Sequence, residues 1–394
     1  MMMKATLESI GAYCLEYQDL SLSLMEGAPG IILFLDQYYE FTGVPAFCER
    51  RDYLLRGLIE KIDQSDQLSL TYCDGLVGFL TFMCILKEKG YYNFDEELDE
   101  YLNGVMVENL LQGKFDILHG PLGILWYFII RLRTGTGSDA GRQNIRQYLK
   151  NALALLEDAA VKNAMGYRWK SSMALNEHFK DKEVYNMGFA HGQPGVLAIA
   201  SFACDLLPGD TVAERLVKES ARFIVSRAAP QSPVQFQAYY SPEVEFAYDS
   251  RLAWCYGDLS AAFAIHVAAH RLKDNTLAQL GEDLASRSVQ RTTPGQTSIF
   301  DAELCHGAMG VSHLYGIFHE RTNDPVYRTA QVHWLEHALT LSRPSQGIAG
   351  FRTHIREDEW GQDAGLLKGV AGIGLGIMSF LGLPRNWDSL LILS

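Results

Sequence analysis

Two kinds of apolar pattern alternate along this chain. In the first, apolar residues recur at three- and four-residue steps with polar residues between them, which predicts helices with one buried face. Stretches 5–17, 51–62, 95–111, 144–160, 212–226, 277–289 and 326–341 read this way. In the second, runs such as 31–39, 120–130, 196–207, 261–269 and 370–381 are apolar nearly all round, as expected of helices enclosed by protein. A short Gly-x-x-Gly motif introduces the second kind. It occurs as Gly27-Ala28-Pro29-Gly30, Gly75-Leu76-Val77-Gly78, Gly120-Pro121-Leu122-Gly123, Gly192-Gln193-Pro194-Gly195, Gly307-Ala308-Met309-Gly310 and Gly369-Val370-Ala371-Gly372. A degenerate copy, Gly257-Asp258-Leu259-Ser260, has serine for the second glycine. Successive first glycines are 45 to 72 residues apart.

The chain therefore reads as seven units, each an amphipathic helix, a loop, a glycine turn and a buried helix, fourteen helices in all. One such hairpin cannot bury its own apolar face; stacked neighbours can, and a closed ring leaves no exposed ends. The expected fold is all-α, a single α/α toroid of seven inner and seven outer helices over residues 1–394. An open superhelical solenoid is the alternative. Inner helices that are apolar all round, with no evident polar concave face, favour closure. The glycines are expected to allow a tight turn and close backbone approach where each inner helix starts. Three longer connections, 162–186, 229–251 and 344–366, are rich in Pro, Gly, aromatic and charged residues and are expected to be ordered rims.

Composition adds three points. The 35 glycines in 394 residues exceed the usual share of about 7%, and thirteen of them stand in the seven turns. The net charge of −13 argues against non-specific nucleic-acid binding, which needs a basic footprint. It leaves a basic peptide substrate open. The seven cysteines, Cys14, Cys48, Cys73, Cys84, Cys204, Cys255 and Cys305, are odd in number and irregularly spaced; that is no disulfide framework. With no signal-peptide pattern at the start and no uncharged apolar run of 18 residues, a reducing cytoplasm is the expected compartment.

The chemistry gathers at one turn of the repeat. In unit order, the residue two before each first glycine is Met25, Cys73, Leu118, Ala190, Cys255, Cys305 and Leu367. The residue immediately before it is Glu26, Asp74, His119, His191, Tyr256, His306 and Lys368. Packing alone does not call for so many soft and titratable side chains in one register. Cys255, Cys305 and His306 suit zinc, whose preferred ligands are thiolate and imidazole; three protein ligands leave the open position of a catalytic site. The competing reading is a pair of buried cysteines acting as small hydrophobes, and Cys73, in the same register, is either a fourth ligand or, as we read it, an inert core thiol. His191 and His119 are candidate acids or bases. Asp116 is a partner or a capping residue. Arg251 is an anion holder or an ordinary ion-pair member, and Lys368 a solvated or cavity-facing lysine.

Asn186-Met187-Gly188-Phe189-Ala190-His191-Gly192-Gln193-Pro194-Gly195, Trp254-Cys255-Tyr256-Gly257 and Cys305-His306-Gly307, in that order, resemble the lanthionine synthetase C-like family. The resemblance spans essentially the whole chain. It implies an α/α toroid in which Cys255, Cys305 and His306 bind one zinc ion. It also implies a cyclase that adds peptide cysteine thiols to dehydroalanine or dehydrobutyrine, forming lanthionine and methyllanthionine thioether rings. The family's proton-transfer histidine would fall on His191, its arginine on Arg251 and its aspartate on Asp116; Tyr256, inside the Trp-Cys-Tyr-Gly motif, is counted with them. The implied partners are a dehydrated precursor peptide, leader plus core, and a separate dehydratase and exporter, through which the protein would meet the membrane. The departures are Ser260 and His119. A glutathione-binding or glutathione-adding relative, or another zinc toroid that activates thiols, remains the alternative.

Overall fold

A computed structural model describes residues 2–65, 67–86, 94–171 and 181–394. In chain order the helices are α1 Met2–Glu16, α2 Ala28–Thr42, α3 Pro45–Asp63, α4 Leu76–Leu86, α5 Glu96–Leu111, α6 Pro121–Thr134, α7 Asp139–Ala159, α8 Gln193–Asp205, α9 Thr211–Arg227, α10 Asp258–Leu272, α11 Asn275–Ser288, the short α12 Pro294–Thr297, α13 Ala308–Thr322, α14 Pro325–Thr340 and α15 Val370–Phe380. All fourteen helices expected from the apolar pattern are among them; α12 is an addition. Strands β1 Val161–Asn163, β2 Gly166–Arg168, β3 Tyr185–Asn186, β4 Tyr239–Tyr240, β5 Thr353–Arg356 and β6 Glu359–Gly361 form three antiparallel pairs, β1–β2, β3–β4 and β5–β6. They lie in the three long connections; residues 172–180 of the first lie outside the described residues. Among the described residues no disulfide is formed, and no helix is long and apolar enough to cross a membrane.

The chain divides into two compact units. One comprises Met1–Tyr92 with Ser298–Ser394, the other Asn93–Thr297. In the first, α13 packs on α14 and α15, α15 on α2, and α2 on α3 and α4. The seventh repeat is thus a direct neighbour of the first. In the second, α5, α6 and α7 pack together, α6 adjoins α8, and α8 and α10 pack on each other and on α9. In both units the helices that follow glycine turns are enclosed. Every residue of α8 from Gln193 to Cys204 is buried, whereas α7 buries the single stripe Ile145, Leu149, Ala152, Leu153 and Leu156.

The two classes of helix also begin differently. Most of the one-faced helices start from side-chain caps, α3 with Val44 at its cap being an exception: the Ser138 hydroxyl accepts from Gly141 N, and Asp210, Asp274 and Asp324 accept from Val212, Leu277 and Val326. These caps satisfy N–H groups that have no partner within the helix. At the glycine turns the cap residue makes no such bond. The free N–H groups instead reach backbone carbonyls seven residues upstream: Ala28 to Ser21, Leu76 to Ser69, Ala308 to Asp301, Gly310 to Glu303 and Val370 to Asp363. The loop must therefore lie directly against the helix start, and side chains are excluded there.

Gly310 shows the constraint. A Cβ on it would sit 1.9 Å from the Leu304 carbonyl oxygen. Close approach, more than an unusual backbone angle, is why glycine recurs. Of the seven first glycines only Gly257 has a positive φ, 104°, and it belongs to the repeat in which Ser260 replaces the second glycine. Gly310→Ala is expected to destabilise the protein by about 2–4 kcal/mol, since a buried backbone has to move. A fall in the denaturant midpoint measures it.

Asp388 anchors the C-terminal 3₁₀ segment, Asn386–Leu391. It is fully buried, 3.1 Å from His313 Nε2 and hydrogen-bonded by Arg385. Burial alone would raise its pKa, but His313 and Arg385 overcome that and hold the carboxyl below the usual carboxylate range. The stabilisation from a depressed carboxyl is present above the unfolded pKa of about 3.9 and is lost as pH falls through the folded value. Asp388→Asn is expected to cost about 2–3 kcal/mol at pH 7. In thermal unfolding at several pH values, the gap from the parent should close below about pH 4.

Candidate active site

Each glycine turn carries a titratable residue just before its first glycine, and several turns are linked by a repeated backbone bond. The N–H groups of Leu24 and Met25 donate to Cys73 O, those of Phe189 and Ala190 to Cys255 O, and those of Leu304 and Cys305 to Leu367 O. Leu367 N in turn donates to Met25 O at 2.8 Å, so the seventh turn is tied to the first. These bonds give the turns of the first, fourth, sixth and seventh repeats a common backbone setting just before the first glycine.

In the second unit, His191 Nδ1 lies 2.7 Å from Asp116 Oδ2. The other Asp116 oxygen accepts the backbone N–H of His119 at 2.8 Å. Asp116 is buried, so its carboxylate is fixed between two turns and locks His191 through Nδ1. The His119 and His191 rings stack with centroids 6.0 Å apart and planes within 6°. Tyr256 accepts a hydrogen bond from Asn186 Nδ2 at 2.7 Å and lies 3.4 Å from the Tyr239 hydroxyl. Burial, with Tyr239 beside it, pushes the Tyr256 phenol up, so it stays protonated at neutral pH. Gly188 packs against that ring; a Cβ there would meet it at 2.6 Å. Cys255 is buried on the same turn as Tyr256. Arg251 precedes that turn, and its carbonyl touches Gly257. Among the described residues its guanidinium makes no hydrogen bond or ion pair, so Arg251 is not joined to the His191–Asp116 pair.

In the first unit, Cys305 is buried and His306 partly so. His306 Nδ1 is 2.9 Å from Glu303 Oε1. Glu303 N donates to Asp301 Oδ1 at 3.3 Å, and Asp301 Oδ2 accepts from His354 N on β5 at 2.8 Å. Burial and the adjacent Asp301 push the Glu303 carboxyl up to about 7 against the pull of His306. Asp301, Glu303 and His306 each bring a donor atom within 4.8 Å of the others, but both Asp301 oxygens already serve backbone N–H groups. Lys368 pairs with Glu26 at 3.6 Å. Burial works to lower the Lys368 pKa, yet Glu26, Cys305, Glu303 and Asp363 raise it overall. The Cys73 thiol is pushed up by burial and by Asp74, to which it donates at 3.0 Å. It is a protonated core thiol.

Glu303, Asp301, Asn186 and Tyr239 are the polar groups that sequence reasoning missed. Glu303 had a usable signal: it stands four residues before its first glycine, the register of Asp116.

An all-helical repeat with soft and titratable residues at every glycine turn defines the class. The chain belongs to the lanthionine synthetase C-like family, whose sequence profile matches residues 18–392. It is 22% identical over 327 residues to the nisin biosynthesis protein NisC of Lactococcus lactis subsp. lactis, covering 77% of this chain and 75% of the relative. It is also similar to the solved structure of a nisin cyclase, with a TM-score of 0.76 and 19% identity, over 99% of this chain and 97% of that one. That likeness shows the fold, an α/α toroid.

Proposed function

We propose that this protein is a zinc-dependent lanthipeptide cyclase, with residues 1–394 working as one domain. The similarity to a nisin cyclase over nearly the full length directs the reading to thioether formation. The observation that carries it to a mechanism is the His191–Asp116 pair at 2.7 Å. An imidazole held through Nδ1 by a buried carboxylate keeps Nε2 free to give and take a proton.

Cys255, Cys305 and His306 would hold the metal. The donor set fits zinc by its chemistry, two thiols and an imidazole. The buried Glu303 Oε2 has no hydrogen-bond partner among the described residues, a gap that a bound cation would help to explain. Zinc, when bound, supplies a peptide cysteine as thiolate at neutral pH, where a free thiol of pKa about 8.5 is only about 3% ionised. The sulfur adds to the β-carbon of dehydroalanine or dehydrobutyrine. The thiolate electron pair forms the C–S bond, the π bond of C=C breaks, and its electron pair moves to the α-carbon and carbonyl as an enolate. His191 delivers the proton to the α-carbon, and Asp116 stabilises the imidazolium form and keeps it oriented. Arg251, with no partner of its own, is assigned to the enolate oxygen, and the protonated Tyr256, set by Asn186, to orienting the peptide. The substrate is a dehydrated precursor peptide with leader and core. Its dehydroamino acids require a dehydratase, and its product an exporter.

The test is incubation with a dehydrated, cysteine-containing precursor peptide and zinc. Ring closure removes alkylatable thiols without changing mass. Thiols that persist in the presence of folded, zinc-loaded protein overturn the reading, and a mass gain of one glutathione in its presence favours glutathione addition instead.

A further inference from the structure

One carboxylate device is used twice in this molecule. In the third repeat, Asp116, four residues before the first glycine, accepts the backbone N–H of the residue preceding that glycine and holds an imidazole through Nδ1. In the sixth repeat Glu303 stands at the same offset. It accepts His306 N at 3.3 Å and holds the His306 ring through Nδ1 at 2.9 Å. The other five repeats have Ser23, Thr71, Gly188, Ala253 and Gly365 at this offset. Both carboxylates clamp an imidazole through Nδ1, Asp116 that of His191 in the next repeat and Glu303 that of His306 in its own.

We propose that Glu303 is a positioning residue that fixes the tautomer and ring orientation of His306, presenting Nε2 as the metal-ligating atom. The inference rests on the zinc reading above. A carboxylate accepting from Nδ1–H leaves the lone pair on Nε2 and makes it a stronger donor. Glu303 is itself held rigid. It is buried, its N–H is tied to Asp301, and Asp301 is tied to the backbone of β5 through His354. Each Asp301 oxygen accepts from a backbone donor, so Asp301 braces the loop that carries Glu303. A ring oriented by packing alone would need no buried carboxylate, with its second oxygen unpaired, at its side.

The experiment measures zinc affinity of the full chain by competition with a chromophoric chelator, for the parent, Glu303→Ala, Glu303→Gln and Asp116→Ala. Glu303→Ala is expected to weaken zinc binding 10- to 100-fold. Glu303→Gln, which still accepts a hydrogen bond but carries no charge, should fall between it and the parent. Asp116→Ala should bind zinc as the parent does. With cobalt(II) in place of zinc, the ligand-field bands should shift in Glu303→Ala, a change that loop destabilisation alone does not produce. If Glu303→Ala fails to fold, Glu303→Gln decides. Parent-like affinity, within twofold, in a folded Glu303 variant overturns the proposal while leaving the zinc site standing. A parent that binds no zinc overturns the underlying reading instead.

Discussion

Replacing Cys305 with alanine is expected to remove bound zinc from purified protein and to slow cyclisation by at least about 100-fold; Cys255→Ala should do the same. The size follows from two losses. At pH 7 a free thiol of pKa about 8.5 is only about 3% ionised, so losing metal activation alone lowers the reactive thiolate about 30-fold. Losing the sulfur's fixed position beside the acceptor carbon adds to this, since orientation is a large part of such a rate. Zinc content by elemental analysis and the thiol-alkylation assay read the two effects separately. Cys73→Ala is the control: its thiol is held protonated by burial and Asp74, so it should leave zinc content unchanged. Unchanged zinc in both the Cys255 and Cys305 variants would overturn the ligand assignment.

His191→Asn is expected to lower kcat by about 10²–10⁴, the usual worth of a positioned acid–base group, with zinc content intact. Asp116→Asn should cost less, about 10- to 100-fold. An amide can still meet His191 Nδ1, but it does not stabilise the imidazolium and it favours the other tautomer. The separation of zinc content from rate distinguishes this pair from the metal ligands. A His191→Asn enzyme within tenfold of the parent assigns the proton to another group. His119, stacked 6.0 Å away, is then the first residue to replace.

Much of this was legible in the residues themselves. The alternation of one-faced and all-round apolar helices is periodic, and periodicity depends only on local spacing; all fourteen helices are where the pattern puts them. The candidate site residues could be listed because the repeat places chemically unusual side chains in one register. The boundaries were less legible. Helix α7 begins at Asp139, five residues before its clear apolar stripe, because the Ser138 hydroxyl caps Gly141. Of the two roles expected of the glycines, close backbone approach is the general one: six of the seven first glycines have no positive φ, and a loop carbonyl lies against the helix start.

Sequence by itself determined the repeat, its helices, the register of Cys255, Cys305, His306 and His191, and the family, because each depends on residue type and spacing along one chain. Tertiary structure alone decided which polar groups meet. Asp116 and His191 are 75 residues apart in sequence and 2.7 Å apart in space. Tyr256 rests on Asn186 across 70 residues, and His354 reaches Asp301 across 53. No spacing rule encodes such pairings: they arise only when separate loops are pressed against successive helix starts. Burial then sets their chemistry, holding Tyr256 and Cys73 protonated and leaving His191 and His306 each clamped through Nδ1 by a carboxylate.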